Sequence, residues 1–335
     1  MNPSSSDRVA GVELADPALR AMLERGLVEV EALLHREVQS EFRFLTETSL
    51  HLVDAGGKRF RPMLTLLAGQ FGTGSGEQVV RAAAVVELIH LATLYHDDVM
   101  DEATMRRGAT SANARWDNTV AILTGDFLFA HASRLVADLG PEAVRIIATT
   151  FAELVTGQMR ETLGPRDGVD PVEHYLAVVA EKTGSLIATA GRYGAMFSGA
   201  GQEEVAALRR FGDAIGTAFQ ISDDIIDIAS PAAKSGKTPG TDLREGVKTL
   251  PMLYALAEPG PTADRLSKLL AHPLSDDALV TEALGLLRAS GGLERAIGTL
   301  HSYAEAARTE LAVLPACPAR HALASLPDYL VARTG

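Results

Sequence analysis

Residues 87–107 read ELIHLATLYHDDVMDEATMRR, and this stretch decides the fold. Leu88, Ile89, Leu91, Ala92 and Leu94 are apolar almost all round a helical wheel, the pattern of a helix buried on every side. The same helix ends in Asp97, Asp98 and Asp101. Asp97 and Asp101 are four apart and share a face, one turn from each other; His90, seven before Asp97, falls on nearly the same face. Carboxylates at the end of a buried helix are costly to desolvate unless cations meet them. Arg106 and Arg107 follow at once, so the segment carries both signs. Oxygen ligands at this spacing suit Mg²⁺, which keeps several waters and binds through one or two carboxylates plus substrate phosphates.

An acidic helix end is also what a solvated face or a cap looks like, and alone it decides nothing. The second half of the chain repeats the pattern. Residues 219–227 read FQISDDIID, with Asp223, Asp224 and Asp227 set among Phe219, Ile221, Ile225, Ile226 and Ile228. Gln220, either Asp223 or Asp224, and Asp227 share a face by helical count. Two such patterns, each on a hydrophobic helix, do not read as surface decoration.

With 335 residues and 47% hydrophobic content, the chain can bury one large core or two domains. Aromatic residues are only 5%, and Ala and Leu dominate, which favours packed helices and an all-α fold. A net charge of -12 argues against a nucleic-acid partner. The single cysteine, Cys317, excludes a disulfide framework and a Cys-based metal site, and is the usage of a reducing, cytoplasmic compartment. The opening MNPSSSDRVAG lacks the apolar run of a signal peptide, and no uninterrupted apolar run reaches roughly 18 residues, so no membrane span is expected.

Residues 1–15 are expected as a disordered tail and residues 16–335 as a single all-α domain. Asp16-Pro17 reads as an N-cap followed by proline at the first helical position, opening a helix that runs to about Ala55, where Gly56-Gly57 stops it. Residues 56–62, GGKRFRP, set Lys58, Arg59 and Arg61 at the start of an apolar helix. Free backbone N–H groups, the positive dipole end and three cations make an anion seat for a pyrophosphate, although a basic turn alone is commonly solvated. Asp170-Pro171-Val172-Glu173 opens another helix, which carries Lys182-Thr183 among apolar residues. Residues 230–251 are rich in Gly, Pro and Lys and aperiodic; Lys234, Lys237, Arg244 and Lys248 there suit a lid over phosphates.

Taken in order, GGKRFRP, HDDVMDEATMRRG, Lys182-Thr183, FQISDDIID and GKTPGTD resemble the trans-prenyl diphosphate synthases over roughly residues 20–330. The wording around HLATLYHDDVMDEA is similar to the actinobacterial long-chain polyprenyl diphosphate synthases. The resemblance implies an isoprenoid synthase-type helical bundle around a deep central cavity, normally a homodimer. It implies that Asp97, Asp101 and, across the cavity, Asp223 hold three Mg²⁺ ions on an allylic diphosphate, with Asp98, Asp224 and Asp227 in support. Arg106, Lys182 and Lys237 are implied as further ligands of that diphosphate. Lys58, Arg61, His90 and Arg107 are implied as the seat of isopentenyl diphosphate, and Thr183 and Gln220 as neighbours of the developing carbocation. Two positions depart from the family: Val247 stands where a lysine follows the Glu-Gly of the lid, with Lys248 one later, and Asp117 stands where many relatives have glycine.

In such enzymes the growing tail descends from the first acidic motif towards the N-terminus of its helix. Ile89, Ala92 and Thr93 are the residues that would gate it, and Ala92 and Thr93 are small, where short-chain enzymes place an aromatic plug. At 1.5 Å of rise per residue the helix offers a long wall, so a product of roughly six to ten isoprene units is expected, with a menaquinone side chain as its fate and the membrane as its destination. The rivals are a short-chain (geranylgeranyl or farnesyl) synthase, a class I terpene cyclase, which lacks the GGKRFRP seat, and a non-catalytic subunit of a heteromeric synthase, which tends to lose the acidic motifs.

Overall fold

The computed structural model describes residues 8–9, 12–74, 76–229 and 239–334. Apart from two short strand pairs, β1 (Arg8–Val9) with β2 (Val12–Glu13) and β3 (Met105–Arg106) with β4 (Ala109–Thr110), the regular structure described is helical, as the alanine- and leucine-rich composition implies. The helices are α1 (Pro17–Glu37), α2 (Arg43–Asp54), α3 (Phe60–Ala68), α4 (Glu77–Met100), α5 (Ala112–Arg115), α6 (Asn118–Ala137), α7 (Pro141–Leu163) and α8 (Pro171–Val179). A π-helical turn (Ala180–Gly184) leads into α9 (Ser185–Phe197), followed by α10 (Gln202–Ala229). After these come α11 (Thr241–Glu245), α12 (Leu250–Leu256), α13 (Pro261–Leu269), α14 (Asp277–Ala289), α15 (Gly292–Glu310) and α16 (Pro318–Ala332). The chain forms two compact units: unit 1 takes Met1–Ala152, Leu186–Gly212 and Leu311–Leu323; unit 2 takes Glu153–Ser185, Asp213–Glu310 and Ala324–Gly335.

Unit 1 is built on α4, which packs against α1, α3 and α6. Val85, Val86, Leu88 and Leu91 are wholly buried and Ile89 and Ala92 nearly so, which explains why residues 88–94 are apolar but for His90 and Thr93. Each such large side chain contributes about 1.5–3 kcal/mol on burial. Tyr95, also wholly buried, accepts from the Leu52 N–H at 3.2 Å and donates to the Thr48 carbonyl, while Thr124 Oγ1 donates to Thr48 Oγ1 at 3.0 Å. This polar knot pins α2, α4 and α6 in register. By length and composition α4 and α6 could each cross a membrane; 78% of the apolar window of α4 is buried inside the protein, against 39% for α6.

Two expectations need correction here. The single helix foreseen from Pro17 to Ala55 is two, because Ser40 and Thr46 draw the backbone out of the helix: Ser40 N–H donates to Thr46 Oγ1 at 2.9 Å and Phe42 N–H to Ser40 Oγ at 3.2 Å. The stretch foreseen as a disordered tail to residue 15 ends in ordered chain, because Val12 and Leu14 are wholly buried and the Leu14 carbonyl accepts from Arg20 at 2.7 Å. Asp16 caps α1 as its sequence implies, accepting from Leu19 N–H at 2.7 Å.

In unit 2 the core gathers Ile228, Leu243, Met252, Ala255, Leu266, Ala283 and Leu287. α12 packs on α8, α13 and α15, and the Arg288 guanidinium donates to the Ile228 carbonyl at 2.8 Å, fixing α14 to the end of α10. The Asp170 carboxylate caps α8, accepting from Val172 and Glu173 N–H at 2.7 and 3.1 Å, with Pro171 first in the helix.

Candidate active site

The C-terminal end of α4 separates its acids by burial. Asp97 is half-buried and Asp101, the residue that closes the helix, is exposed; Asp98 is wholly buried. The Arg106 Nε donates to Asp98 Oδ1 at 2.5 Å, while Asp98 Oδ2 is buried with no hydrogen-bond partner among the described residues. Burial raises the Asp98 carboxyl above its ordinary value, and the Arg106 charge and hydrogen bond oppose that rise. Arg106 reaches Asp98 because it lies on β3 of a tight hairpin whose two turn residues, Arg107 and Gly108, have φ of 54° and 77°. Positive φ at both turn positions is the geometry of the hairpin turns that match strand twist.

Arg107, held at that turn, donates to the Leu52 carbonyl at 3.1 Å and to the Gly56 carbonyl, and its Nη2 lies 3.5 Å from Glu87. Gly57 permits this approach: a Cβ there would lie 2.8 Å from the Arg107 Cζ, on a backbone whose φ is 133°. Arg59, at φ 47°, is paired with Glu31, donates to Glu87 at 2.8 Å and to the Val53 carbonyl at 2.8 Å. Burial works to lower the Arg59 pKa, and the two glutamates outweigh it. Arg61 is less compensated. Its Nε is buried without a partner, and its guanidinium is pushed down to about 10, first by burial and then by Arg107, against the pull of Glu87. His90 is held well below the ordinary histidine value by burial and by Arg61, Arg107, Arg59 and Arg106, so it is neutral at pH 7. One buried acid, Glu87, thus faces several arginines, and the excess is positive: a seat for an anion. Lys58 lies exposed beside it.

Further back on α4, Ile89, Ala92 and Thr93 are buried. Thr93 Oγ1 turns back to donate to the His90 carbonyl at 2.8 Å.

In unit 2 the second acidic motif is also divided. Asp224 is buried and accepts from the Tyr175 hydroxyl and from Gln220 Nε2 at 3.0 Å. Burial raises its carboxyl to about 7; the two donors oppose the rise, and Asp223 and Asp227 add to it. The Tyr175 hydroxyl is raised well above its usual value by burial and by Asp224. Asp227 accepts from the backbone N–H groups of Thr241 and Asp242 at 3.1 and 3.2 Å, anchoring the start of α11. Asp223, half-buried, pairs with Arg333 at 2.7 Å. Lys182 and Thr183 sit on the π-helical turn, where Ser185 N–H reaches the Ala180 carbonyl five residues back. Such bulges recur at functional sites because they turn side chains out of the ordinary helical face. Lys182 is ion-paired with Glu161. Thr183 Oγ1 donates to Gln220 Oε1 at 3.5 Å. Among the described residues no three His, Cys, Asp or Glu side chains form a ready-made metal cage.

The structure therefore brings Arg61, His90 and Arg107 together in unit 1, and Thr183, Gln220 and Asp224 together in unit 2. Lys234 and Lys237 lie outside the described residues. Lys248 and Val247 are exposed, and Arg244 pairs with Asp277 at 2.7 Å. Sequence reasoning missed Glu87, Glu161, Tyr175 and Arg333. Glu87 had a signal, an acid inside an apolar helix; Tyr175 had none.

A fold of packed helices, with acids at the end of a buried helix and an arginine seat behind them, defines a class, and comparison with known proteins gives it a family. The polyprenyl synthetase family model matches residues 42–287; the chain belongs to that family and is a prenyltransferase of the isoprenoid synthase helical fold. It is 60% identical to a nonaprenyl diphosphate synthase of Mycobacterium tuberculosis over 98% of each chain. A dimethylallyltranstransferase of the same organism is 48% identical, over 96% of this chain and 98% of that one. A crystal structure of geranylgeranyl pyrophosphate synthase from Corynebacterium glutamicum, complexed with calcium and isoprenyl diphosphate, superposes with a TM-score of 0.88 at 54% identity, covering 97% of this chain and 100% of that one.

Proposed function

We propose that the protein is a long-chain all-trans polyprenyl diphosphate synthase, joining isopentenyl diphosphate head to tail (1'-4) to an allylic diphosphate in repeated Mg²⁺-dependent steps. The observation that carries this reading is the Arg61–His90–Arg107 seat, whose His90 lies on the helix that ends in Asp97 and Asp101. Seven residues of helix place the seat about 10 Å from the acids, room for two diphosphates side by side. The 60% identity to a nonaprenyl diphosphate synthase supports the long product.

Asp97, Asp101 and Asp223 each keep some exposure, Asp223 beside Arg333 at 2.7 Å. They fit Mg²⁺, which needs only one or two carboxylates when phosphates complete its shell, and we assign them to three ions present with bound substrate. The metal supplies positive charge to the leaving diphosphate oxygens. The protein's own groups do the rest. Lys182 and Lys237 add cations at the leaving group, and Arg106 holds Asp98 neutralised behind the acids. Arg61, Arg107 and Lys58 seat the isopentenyl diphosphate, with neutral His90 as a hydrogen-bonding partner, so that its double bond meets the allylic carbon in place. Thr183 and Gln220 flank the developing cation, and the departing diphosphate takes the final proton.

For product length, the small Ala92 and Thr93 leave passage along α4, with Ile89 next below. For assembly, α6 and the first part of α7 in unit 1 show Ile122, Leu123, Ala130, Val144 and Ala148 to solvent; we assign this apolar face to a second copy of the chain. The product's fate is a menaquinone side chain made at the membrane by a cytoplasmic enzyme. The deciding experiment gives the purified protein Mg²⁺, farnesyl diphosphate and labelled isopentenyl diphosphate, and sizes the products. Products of six or more units are expected. A ladder ending at geranylgeranyl diphosphate removes the long-chain claim, a cyclised unlabelled product shows a cyclase, and no turnover shows a subunit that needs a partner.

A further inference from the structure

Building on the prenyl-transfer reading, we infer that Tyr175 and Asp224 are positioning residues that fix which end of the Gln220 amide faces Thr183. The motif around Asp224 reads as ion-binding, yet both of its oxygens are turned into the protein. Gln220 Nε2, one turn back on α10, donates to one Asp224 oxygen at 3.0 Å and the Tyr175 hydroxyl on α8 to the other. With its NH₂ group on Asp224, Gln220 has its carbonyl oxygen on the other side, where Thr183 Oγ1 lies 3.5 Å away. Turning the amide over would replace that N–H donor by an oxygen facing Asp224 Oδ1.

The frame around this chain of bonds is rigid. Asp170 caps α8 and so sets Tyr175. The π-helical turn brings Thr183 round, and α7 lies hard against that turn at Gly157, where a Cβ would sit 2.7 Å from the Lys182 nitrogen and 2.8 Å from the Glu181 Cβ. The consequence is chemical. A cation developing beside Thr183 and Gln220 meets the negative end of the amide dipole, already oriented, with no reorganisation at the moment of reaction. Were the amide reversed, the same residue would present N–H groups to a positive charge. Asp224 thus acts through Gln220, and Tyr175 acts through Asp224; the metal work of this motif falls to Asp223.

The test uses the full-length protein with Tyr175→Phe, which removes one hydroxyl, and Asp224→Asn. An asparagine that accepts from Tyr175 offers an NH₂ to Gln220 and turns the amide over. The first readout needs no activity: the ¹⁵N side-chain signal of Gln220, identified by its loss in Gln220→Glu, is followed for chemical shift and hydrogen exchange. It should be protected in the wild type, less so in Tyr175→Phe, and displaced in Asp224→Asn. The second is steady-state rate, where kcat should fall roughly tenfold in Tyr175→Phe and roughly a hundredfold in Asp224→Asn. The KM for isopentenyl diphosphate and the Mg²⁺ half-saturation should stay within about twofold of wild type. A Gln220 signal unchanged by Asp224→Asn overturns the inference. So does a large rise in Mg²⁺ half-saturation with kcat preserved at saturating metal, which would make Asp224 a ligand. Where Asp224→Asn does not fold, Tyr175→Phe decides alone. A wild type with a protected Gln220 amide and no prenyl transfer overturns the function proposed above instead, and the two failures remain distinct.

Discussion

Glu87 is the acid on which the arginine seat is balanced, and replacing it by glutamine tests that directly. Its side chain is 2% exposed, with Arg59 Nη1 at 2.8 Å and Arg107 Nη2 at 3.5 Å. Glutamine keeps the shape and one acceptor oxygen but removes the charge. Breaking a buried ion pair by removing one partner costs about 3–5 kcal/mol, because the other charge is left desolvated. Here the low end applies, since Arg59 keeps Glu31 and the Val53 and Gly56 carbonyls. A loss of about 3 kcal/mol corresponds to a fall in melting temperature of roughly 6–12 °C for a unit of 150–250 residues. The assay is thermal unfolding of wild type and Glu87→Gln with and without inorganic pyrophosphate. In the variant the anion stands in for the missing carboxylate, so pyrophosphate should raise its melting temperature more than that of the wild type. At a hundredfold excess over Kd the ligand returns about 2.7 kcal/mol, nearly the whole loss. The KM for isopentenyl diphosphate should fall in the same variant. A melting temperature within about 1 °C of wild type, or equal pyrophosphate gains in the two proteins, would refute the claim that one buried carboxylate balances these arginines.

Three further outcomes are expected. Gly57→Ala sets a methyl 2.8 Å from the Arg107 guanidinium carbon on a backbone at φ 133°; the displaced arginine should raise the KM for isopentenyl diphosphate on the order of tenfold and leave Mg²⁺ dependence alone. Ala92→Phe should shorten the products by closing the passage proposed along α4, at an overpacking cost of about 1–3 kcal/mol; an unchanged product ladder on reversed-phase chromatography counts against that proposal. His35 is raised above 6.5, chiefly by its hydrogen bond to the Glu31 carbonyl and then by Asp54 at 2.9 Å. The stability it contributes is complete below pH 6.5 and lost as pH rises through the higher folded-state value. The melting-temperature difference between wild type and His35→Gln should therefore shrink from pH 6 to pH 8.5, and a difference independent of pH would disprove the assignment.

The helical class, the central helix and both acidic motifs were legible because each rests on a local rule: the apolar wheel of residues 88–94, the Asp-Pro caps of α1 and α8, the Gly-Gly stop before Lys58. What escaped depends on tertiary contact. The hairpin of residues 105–110 has a two-residue turn with positive φ at both positions, but Arg is a poor predictor of that conformation, so Arg107 reads as a helix-flanking cation and not as a turn. The π-helical turn at 180–184 has no composition of its own; it exists because α7 lies against it at Gly157. Tyr175 looks like one more apolar position of α8 until Asp224, far along the chain, is laid beside it.

Sequence counting also left open which of two adjacent acids turns outward, and the reason is geometric. Neighbours on a helix point about 100° apart, so an Asp-Asp pair cannot put both carboxylates on one target. In each motif the second acid of the pair went inward and found a donor: Asp98 took Arg106, Asp224 took Tyr175 and Gln220. Gln220 and Asp224 are one turn apart and so share a face, while Asp223 and Asp227 share another, the counterpart of Asp97 and Asp101. On α10 that second pair is itself divided, because Asp227 is spent on the backbone of Thr241 and Asp242. The doubled acid is thus two residues in two settings, Asp98 and Asp224 buried on their donors and Asp97 and Asp223 half-buried beside them.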